Sequence, residues 1–121
     1  MFKYLIEHGY SYDVAGINKI NNGTPLLINY NNYKFVRFAT LGDDWQFFNN
    51  ISSEYEIFNK LINLIKSTSF GQIVGLGFHP WILFSNINLY NGFLRFVNHI
   101  SRDKNIRIEF ANHFVNEILK S

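Results

Sequence analysis

The sequence has no cysteine, only two prolines and one methionine among its 121 residues. Without cysteine the chain forms no disulfide bond and no thiolate metal site, although this absence identifies no compartment. No apolar run approaches the roughly 18 residues of a membrane-spanning helix, and residues 1–8 lack the apolar stretch and cleavage site of a signal peptide. We therefore expect no membrane span, and a location that is cytoplasmic or left open by the sequence.

Charge of one sign is not concentrated anywhere in the chain. The eleven Lys and Arg residues are scattered and, with nine Asp and Glu residues, give a net charge of +2. A nucleic-acid interface needs clustered basic residues, so no nucleic-acid partner is expected. Apolar residues make up 47% of the chain and aromatic residues 18%, which excludes a disordered chain and allows one domain with a core over residues 1–121.

The apolar patterns predict an α/β fold with a mostly parallel sheet. Ser53-x-x-Glu56 is a capping box, and the apolar stripe after it predicts a helix. Residues 10–23 are expected to be irregular, and a loop is expected around Asp43 and Trp45. The other predicted helices cover residues 2–8, 88–101 and 111–119, and the predicted strands cover Pro25–Asn29, Lys34–Ala39, 72–78 and Ile106–Phe110.

This predicted fold is short of strands. Strand and helix alternate from residue 72 onward, as they do in parallel sheets. Parallel strands need cover on both faces, and three or four strands cannot close a barrel. The chain also begins inside a predicted helix, so we expect it to be the second half of a larger α/β domain.

Two short segments contain the candidate catalytic residues. In Gly77-Phe78-His79-Pro80-Trp81, a histidine follows an apolar strand, at the place where α/β folds present catalytic groups. Upstream, Gly42-Asp43-Asp44-Trp45 offers a carboxylate that could orient this imidazole. Purely structural roles remain open as well, since His79 could bond a strand-end backbone group, and either aspartate could cap a loop.

Two tryptophans are candidate substrate-binding residues. Trp45 follows the acidic pair and Trp81 follows the His-Pro pair. Sugar rings stack on exposed indole faces. A tryptophan in the core instead buries its large apolar ring and forms a hydrogen bond through its indole N–H. The sequence does not choose between these two roles for either tryptophan.

The order of these motifs resembles a known family. Leu5–Asp13, then Asp43-Asp44-Trp45, then Gly77-Phe78-His79-Pro80, then Ile108–Ala111 before a closing helix, is similar to the C-terminal half of polysaccharide deacetylases with a NodB-type domain. The family fold is an irregular (β/α) barrel, so the resemblance implies a partial (β/α) barrel here. Family members remove N-acetyl groups from sugars with a divalent metal, often zinc, and the resemblance implies an N-acetylated carbohydrate as partner.

The resemblance also implies roles for individual residues. His79 matches the histidine that protonates the leaving amine. Asp43 or Asp44, with Trp45, matches the acidic and aromatic motif that lines the pocket and tunes that histidine, and the choice between the two aspartates stays open.

The chain departs from the family in its early motifs. The first motif supplies an aspartate base and an aspartate metal ligand, and the second supplies two metal-binding histidines four residues apart. Neither motif is present, and the family's arginine motif is also missing. No metal ligand and no cofactor are therefore assigned to this chain.

The departure limits what we expect the chain to do alone. Deacetylation needs an activated water, charge stabilisation and an acid for the leaving nitrogen, and only the acid is matched. We expect a C-terminal portion of a deacetylase-like hydrolase that is inactive alone, and leave its status as an enzyme open. The alternatives are a non-catalytic carbohydrate-binding module, or a half-barrel that pairs with itself or with a separate N-terminal half.

Overall fold

The computed structural model describes residues 2–17, 25–48 and 53–120. It is a mixed α/β structure that divides into two compact units. Unit 1 comprises Met1–Thr40, Ile73–Gly75 and Glu109–Ser121, and unit 2 comprises Leu41–Gln72 and Leu76–Ile108. None of the helices in the described ranges has the length and apolar character needed to cross a membrane.

The described helices and strands alternate irregularly along the chain. In order they are α1 (Phe2–Glu7), β1 (Tyr12–Ile17), β2 (Leu26–Tyr30), β3 (Tyr33–Asp43), α2 (Asp44–Phe47), α3 (Glu54–Lys66), β4 (Gly75–Gly77), α4 (Pro80–Leu83), α5 (Ile87–Arg102) and α6 (Ala111–Lys120).

Unit 1 is built on the pairing of β3 with β1 and β2. β1 runs parallel to β3, whereas β2 forms an antiparallel hairpin with it. The hairpin turn consists of Asn31 and Asn32, with φ of 48° and 66°, a left-handed conformation that asparagine adopts more readily than most residues. The core of unit 1 joins β3 to α6 through Val36, Phe38 and Val115.

Unit 2 is mainly helical. The side chain of Ser53 accepts a hydrogen bond from the Glu56 backbone N–H at 3.4 Å, so the predicted N-cap of α3 is present. α3 packs closely on α5 because Gly92 has no side chain: a Cβ there would lie 2.8 Å from Cγ2 of Ile57. The buried core residues of unit 2 are Phe47, Phe48, Ile57, Leu61, Ile62, Leu83, Leu89 and Phe96.

Most predicted elements are confirmed, with small shifts at their ends. The helices predicted over 2–8, after Ser53, and over 88–101 and 111–119 are present as α1, α3, α5 and α6. The two strands predicted between residues 25 and 39 form the β2–β3 hairpin. The strand predicted over 72–78 is shorter and covers Gly75–Gly77.

Three predictions are wrong in part. Tyr12–Ile17, expected to be irregular, is a strand because β3 supplies it with a partner; residues 18–23 of that range lie outside the described residues. Asp43 is not in a loop but ends β3, and Asp44 and Trp45 begin α2.

The third wrong prediction is the strand over Ile106–Phe110. This segment forms no strand. Its apolar side chains are not buried, with Ile108 59% and Phe110 77% exposed, so burial does not favour an extra strand there. The Phe110 carbonyl instead accepts a hydrogen bond from the His113 N–H at 3.0 Å as the chain enters α6.

Candidate functional site

The candidate site forms where the ends of β3 and β4 meet in unit 2. Gly42 has φ of 137°, a conformation that side chains rarely tolerate, and it precedes the two aspartates. Gly77 approaches the end of β3 closely: a Cβ on Gly77 would lie 3.1 Å from Cβ of Asp43. This close approach, expected from the glycines of the 72–78 segment, brings the residue after β3 next to the residues after β4.

Asp44 and His79 are bonded to each other twice. Oδ2 of Asp44 accepts the backbone N–H of His79 at 2.6 Å, and Oδ1 lies 2.6 Å from the ring Nδ1. The same Oδ1 also accepts the backbone N–H of Trp45 at 3.0 Å. Asp44 is 0% exposed, so its carboxylate is shielded from solvent, whereas its partner groups are only partly buried.

These bonds fix the orientation and the tautomer of the imidazole. An ionised carboxylate only accepts hydrogen bonds, so Nδ1 of His79 must carry the hydrogen that faces Asp44. Nε2 is then the ring nitrogen left to exchange a proton with a ligand. His79 is half-buried, and its ring is therefore held in place while part of it stays accessible.

The structure distinguishes the two aspartates that the sequence left equivalent. Asp44, the first residue of α2, is the one that holds His79. Asp43 ends β3, and its Cβ is the atom nearest to where a Gly77 side chain would start. Asp43 therefore marks the contact between the strands, and Asp44 supplies the carboxylate of the site.

Both tryptophans are exposed rather than part of the core. Trp45 is 73% and Trp81 71% exposed. The Trp81 ring lies 4.7 Å from the His79 ring, centroid to centroid, with the two planes inclined by 46°. Trp45 follows Asp44 directly and is tied to it through its backbone N–H. The imidazole thus has accessible indole surface beside it, which is the arrangement that a substrate-binding role requires.

The divalent metal that the family resemblance implies does not fit these residues. Over the ranges 2–17, 25–48 and 53–120, no three His, Asp or Glu side chains come together to hold a metal ion. Asp44, the carboxylate nearest His79, already uses both oxygens to accept N–H groups. We therefore assign no metal-dependent step to the described residues.

One part of the site was missed in the sequence although a signal was present. His79 is the N-cap of α4 and Pro80 its first residue. Proline is typical of the first helical position, so His79-Pro80 predicts a helix start whose cap residue has a backbone N–H outside the helix. That N–H is one of the two groups of His79 that Asp44 binds.

Comparison with known proteins gives no relative for this chain. No protein-family model, no curated protein and no solved structure matches it. Its function is therefore inferred from the geometry of the site and from the motif resemblance.

Proposed function

We propose that this chain carries the sugar-binding and proton-transfer part of a carbohydrate amide hydrolase site, of the kind found in polysaccharide deacetylases. The observation that supports this proposal is that the buried Asp44 carboxylate makes two hydrogen bonds to His79, one to its backbone N–H and one to its ring. In this proposal the chain is part of a (β/α) barrel and does not hydrolyse amides alone.

The chemistry of the proposed site is proton donation. Amide cleavage expels an amine, which must be protonated as the C–N bond breaks. Protonated His79 would donate from Nε2, and the Asp44 carboxylate would stabilise the imidazolium and keep the ring in place. A positioned acid contributes about 10²–10⁴-fold, which is far less than amide hydrolysis needs without an activated water.

The proposed substrate is an N-acetylated sugar. Trp45 and Trp81 both expose indole surface, and the Trp81 ring lies beside the imidazole. An exposed indole face can stack on a sugar ring. The acetamido group of a stacked sugar would then stand within reach of Nε2.

The test is a pair of NMR titrations with chitotriose and with its fully deacetylated counterpart. We expect the Trp81 indole and His79 ring signals to shift with chitotriose, and Trp81→Ala to weaken binding by roughly three- to tenfold, as loss of one aromatic contact would. Phe110→Ala is the control, because Phe110 is equally exposed but lies in unit 1. Absence of any shift at about 10 mM sugar would contradict the proposal.

A non-catalytic carbohydrate-binding module is the second candidate, and the exposure of both tryptophans favours it. The two candidates differ in how they treat the acetamido group. A site that transfers a proton to the amide nitrogen prefers the acetylated trimer, and His79→Gln removes that preference. A stacking platform binds both trimers alike, and His79→Gln leaves both affinities unchanged.

A further inference from the structure

We propose that His79 is also a metal-independent nucleophile toward activated aryl esters, with Asp44 as its positioning residue. This inference uses the site of the proposed function but depends neither on sugar recognition nor on amide cleavage. Its assay and the sugar titration can therefore fail separately.

His79 differs from the other three histidines in what holds its ring. Nδ1 of His8 lies 2.8 Å from the Tyr4 carbonyl, and Nδ1 of His113 lies 2.8 Å from Glu109, both at exposed positions. The ring of His99 is exposed and lies edge-on to Phe58. Of these four histidines, all within the described ranges, only His79 bonds a fully buried carboxylate, one whose oxygens also accept two backbone N–H groups.

This difference affects the nucleophile directly. A carboxylate fixed by two backbone N–H groups holds the hydrogen on Nδ1, so the lone pair stays on Nε2. The Glu109 carboxylate beside His113 is 29% exposed, so water competes with it for the ring hydrogen and holds the tautomer less strictly. His79 is therefore the histidine whose accessible nitrogen is permanently in the nucleophilic form when the ring is neutral.

The proposed reaction has two steps and consumes one water. In the first, the Nε2 lone pair attacks the acyl carbonyl carbon, the C–O bond breaks, and the phenolate leaves with the bonding electrons. The acyl-imidazolium so formed is stabilised through its Nδ1–H by Asp44. In the second, water attacks the acyl carbon and gives up one proton to the solvent, the C–N bond breaks with its electrons returning to Nε2, and a carboxylic acid is released.

Two features make an aryl ester the suitable substrate class. A phenolate leaves without being protonated first, so the reaction needs no general acid. The imidazole attacks in place of the metal-activated water that amide hydrolysis requires. The Trp81 ring, 4.7 Å from the imidazole, offers a face on which an aromatic leaving group can stack.

The experiment measures hydrolysis of p-nitrophenyl acetate by the whole chain with EDTA present. We expect His79→Gln to lower the protein-dependent rate at least about tenfold, which lies within the contribution of a positioned catalytic group. His113→Gln, which removes the exposed histidine–carboxylate pair, should leave the rate within about twofold. Mass spectrometry of quenched wild-type reactions should find the acetyl group on the peptide that contains His79.

Asp44→Asn tests the positioning role without removing the nucleophile. The asparagine oxygen can still accept the backbone N–H of His79, whereas its NH₂, facing Nδ1 in place of Oδ1, forces the ring hydrogen to Nε2 and leaves the Trp45 N–H without its acceptor. We expect the rate to fall as in His79→Gln, while ¹⁵N NMR of the His79 ring shows the reversed tautomer in a folded protein. Equal rates for wild type and His79→Gln, or acetylation confined to other histidines, would overturn the inference. So would an unchanged rate in an Asp44→Asn protein with the reversed tautomer.

Discussion

Gly77 lies against Asp43 so closely that a methyl group on Gly77 would stand 3.1 Å from the Asp43 Cβ and 3.7 Å from its Cα. β4 approaches the end of β3 this closely because residue 77 has no side chain. Each partner of the Asp44–His79 pair follows one of these residues, Asp44 directly after Asp43 and His79 two positions after Gly77. The position of the imidazole therefore depends on a backbone contact outside the pair itself.

Gly77→Ala should separate these two strand ends. We expect a loss of about 1–2 kcal/mol in the free energy of unfolding, because the added methyl forces a backbone shift. The backbone amide of His79 should lose its strong hydrogen bond to Asp44, and its proton resonance should move upfield in NMR spectra. Gly71→Ala is the control: Gly71 has φ of 85° and open space around it, so substitution strains the backbone without touching the site. An unmoved His79 amide in Gly77→Ala would contradict the prediction.

Asp44→Ala should be costly for stability as well as for the site. It leaves the backbone N–H groups of Trp45 and His79 without their acceptor. Each buried polar group left unpaired costs about 1–3 kcal/mol, so we expect a loss of about 2–4 kcal/mol in urea unfolding. Asp103→Ala is the matched control, since Asp103 accepts the Asn105 N–H at 2.9 Å at an exposed position. Equal losses in the free energy of unfolding for the two variants would show that the burial of Asp44 adds nothing to the stability of the protein.

Gly92→Ala should destabilise unit 2 although alanine favours helices. A Cβ at residue 92 would meet Cγ2 of Ile57 at 2.8 Å and the Glu54 carbonyl at 3.0 Å, so α5 must move away from α3. The overpacking cost of about 1–3 kcal/mol exceeds the roughly 1 kcal/mol that alanine gains over glycine within a helix. Thermal unfolding measures the difference. Asn98→Ala, at an exposed position of α5, should be neutral or stabilising, and the opposite order of the two variants would refute the close helix contact.

Arg37→Lys should weaken the link between β1 and β3. Arg37 donates from Nε and Nη2 to the two carboxylate oxygens of Asp13, its register partner across the parallel pair, at 2.9 and 2.7 Å. Lysine keeps the charge but loses the forked geometry, so we expect a loss of about 1 kcal/mol at neutral pH. Arg95→Lys, which affects a more exposed pair with Glu54, should change stability by less than about 0.5 kcal/mol. Similar losses of stability in the two variants would contradict the prediction that the forked geometry of Arg37 stabilises the β1–β3 pair.

Arg37→Lys should also make the free energy of unfolding more sensitive to alkaline pH. The hydrogen bond to Asp13 raises the pKa of Arg37 above its ordinary value. A raised pKa in the folded state stabilises the protein fully below the unfolded pKa, and this contribution is lost only as the pH rises through the folded pKa. For arginine that range is too alkaline to matter, whereas a lysine loses its proton from about pH 10. Urea unfolding at about pH 7 and about pH 10.5 should show a larger deficit for Arg37→Lys at the higher pH.

Local signals predicted α1, α3, α5 and α6 but missed the short helices α2 and α4 and one of the strands. Ser53 caps α3 as its capping box indicates, and Gly9 takes φ of 86° after α1, as a helix stop requires. β1 depends instead on a partner far along the chain, since Asp13 pairs with Arg37, and no property of Tyr12–Ile17 alone reveals that pairing. The strand predicted over Ile106–Phe110 is absent, and no strand of the described ranges pairs with this segment. Its apolar side chains are not buried, so apolar burial does not favour strand pairing there.

The sequence identified the candidate residues of the site, but it did not show which aspartate contacts His79 or through which atoms. The motifs named His79 and the acidic pair, and the structure brings His79 together with one aspartate of that pair. Choosing Asp44 over Asp43 required knowing that β3 ends at Asp43, since successive residues at a strand end point in different directions. Gly77 lies against Asp43 at that boundary, and this contact is a tertiary feature.

The core of unit 1 combines residues that lie far apart in the sequence, and this separation affects the chain while it is being synthesised. Val36 and Phe38 are synthesised early, but Val115, which packs with them, belongs to α6. The core of unit 2 is made from residues between Phe47 and Ile100, so a ribosome completes it before α6 emerges. Until then Val36 and Phe38 lack the part of their cover that α6 supplies, and this apolar surface is available to chaperones or to aggregation. Among the described helices, the last to be translated is the one that covers the first strands.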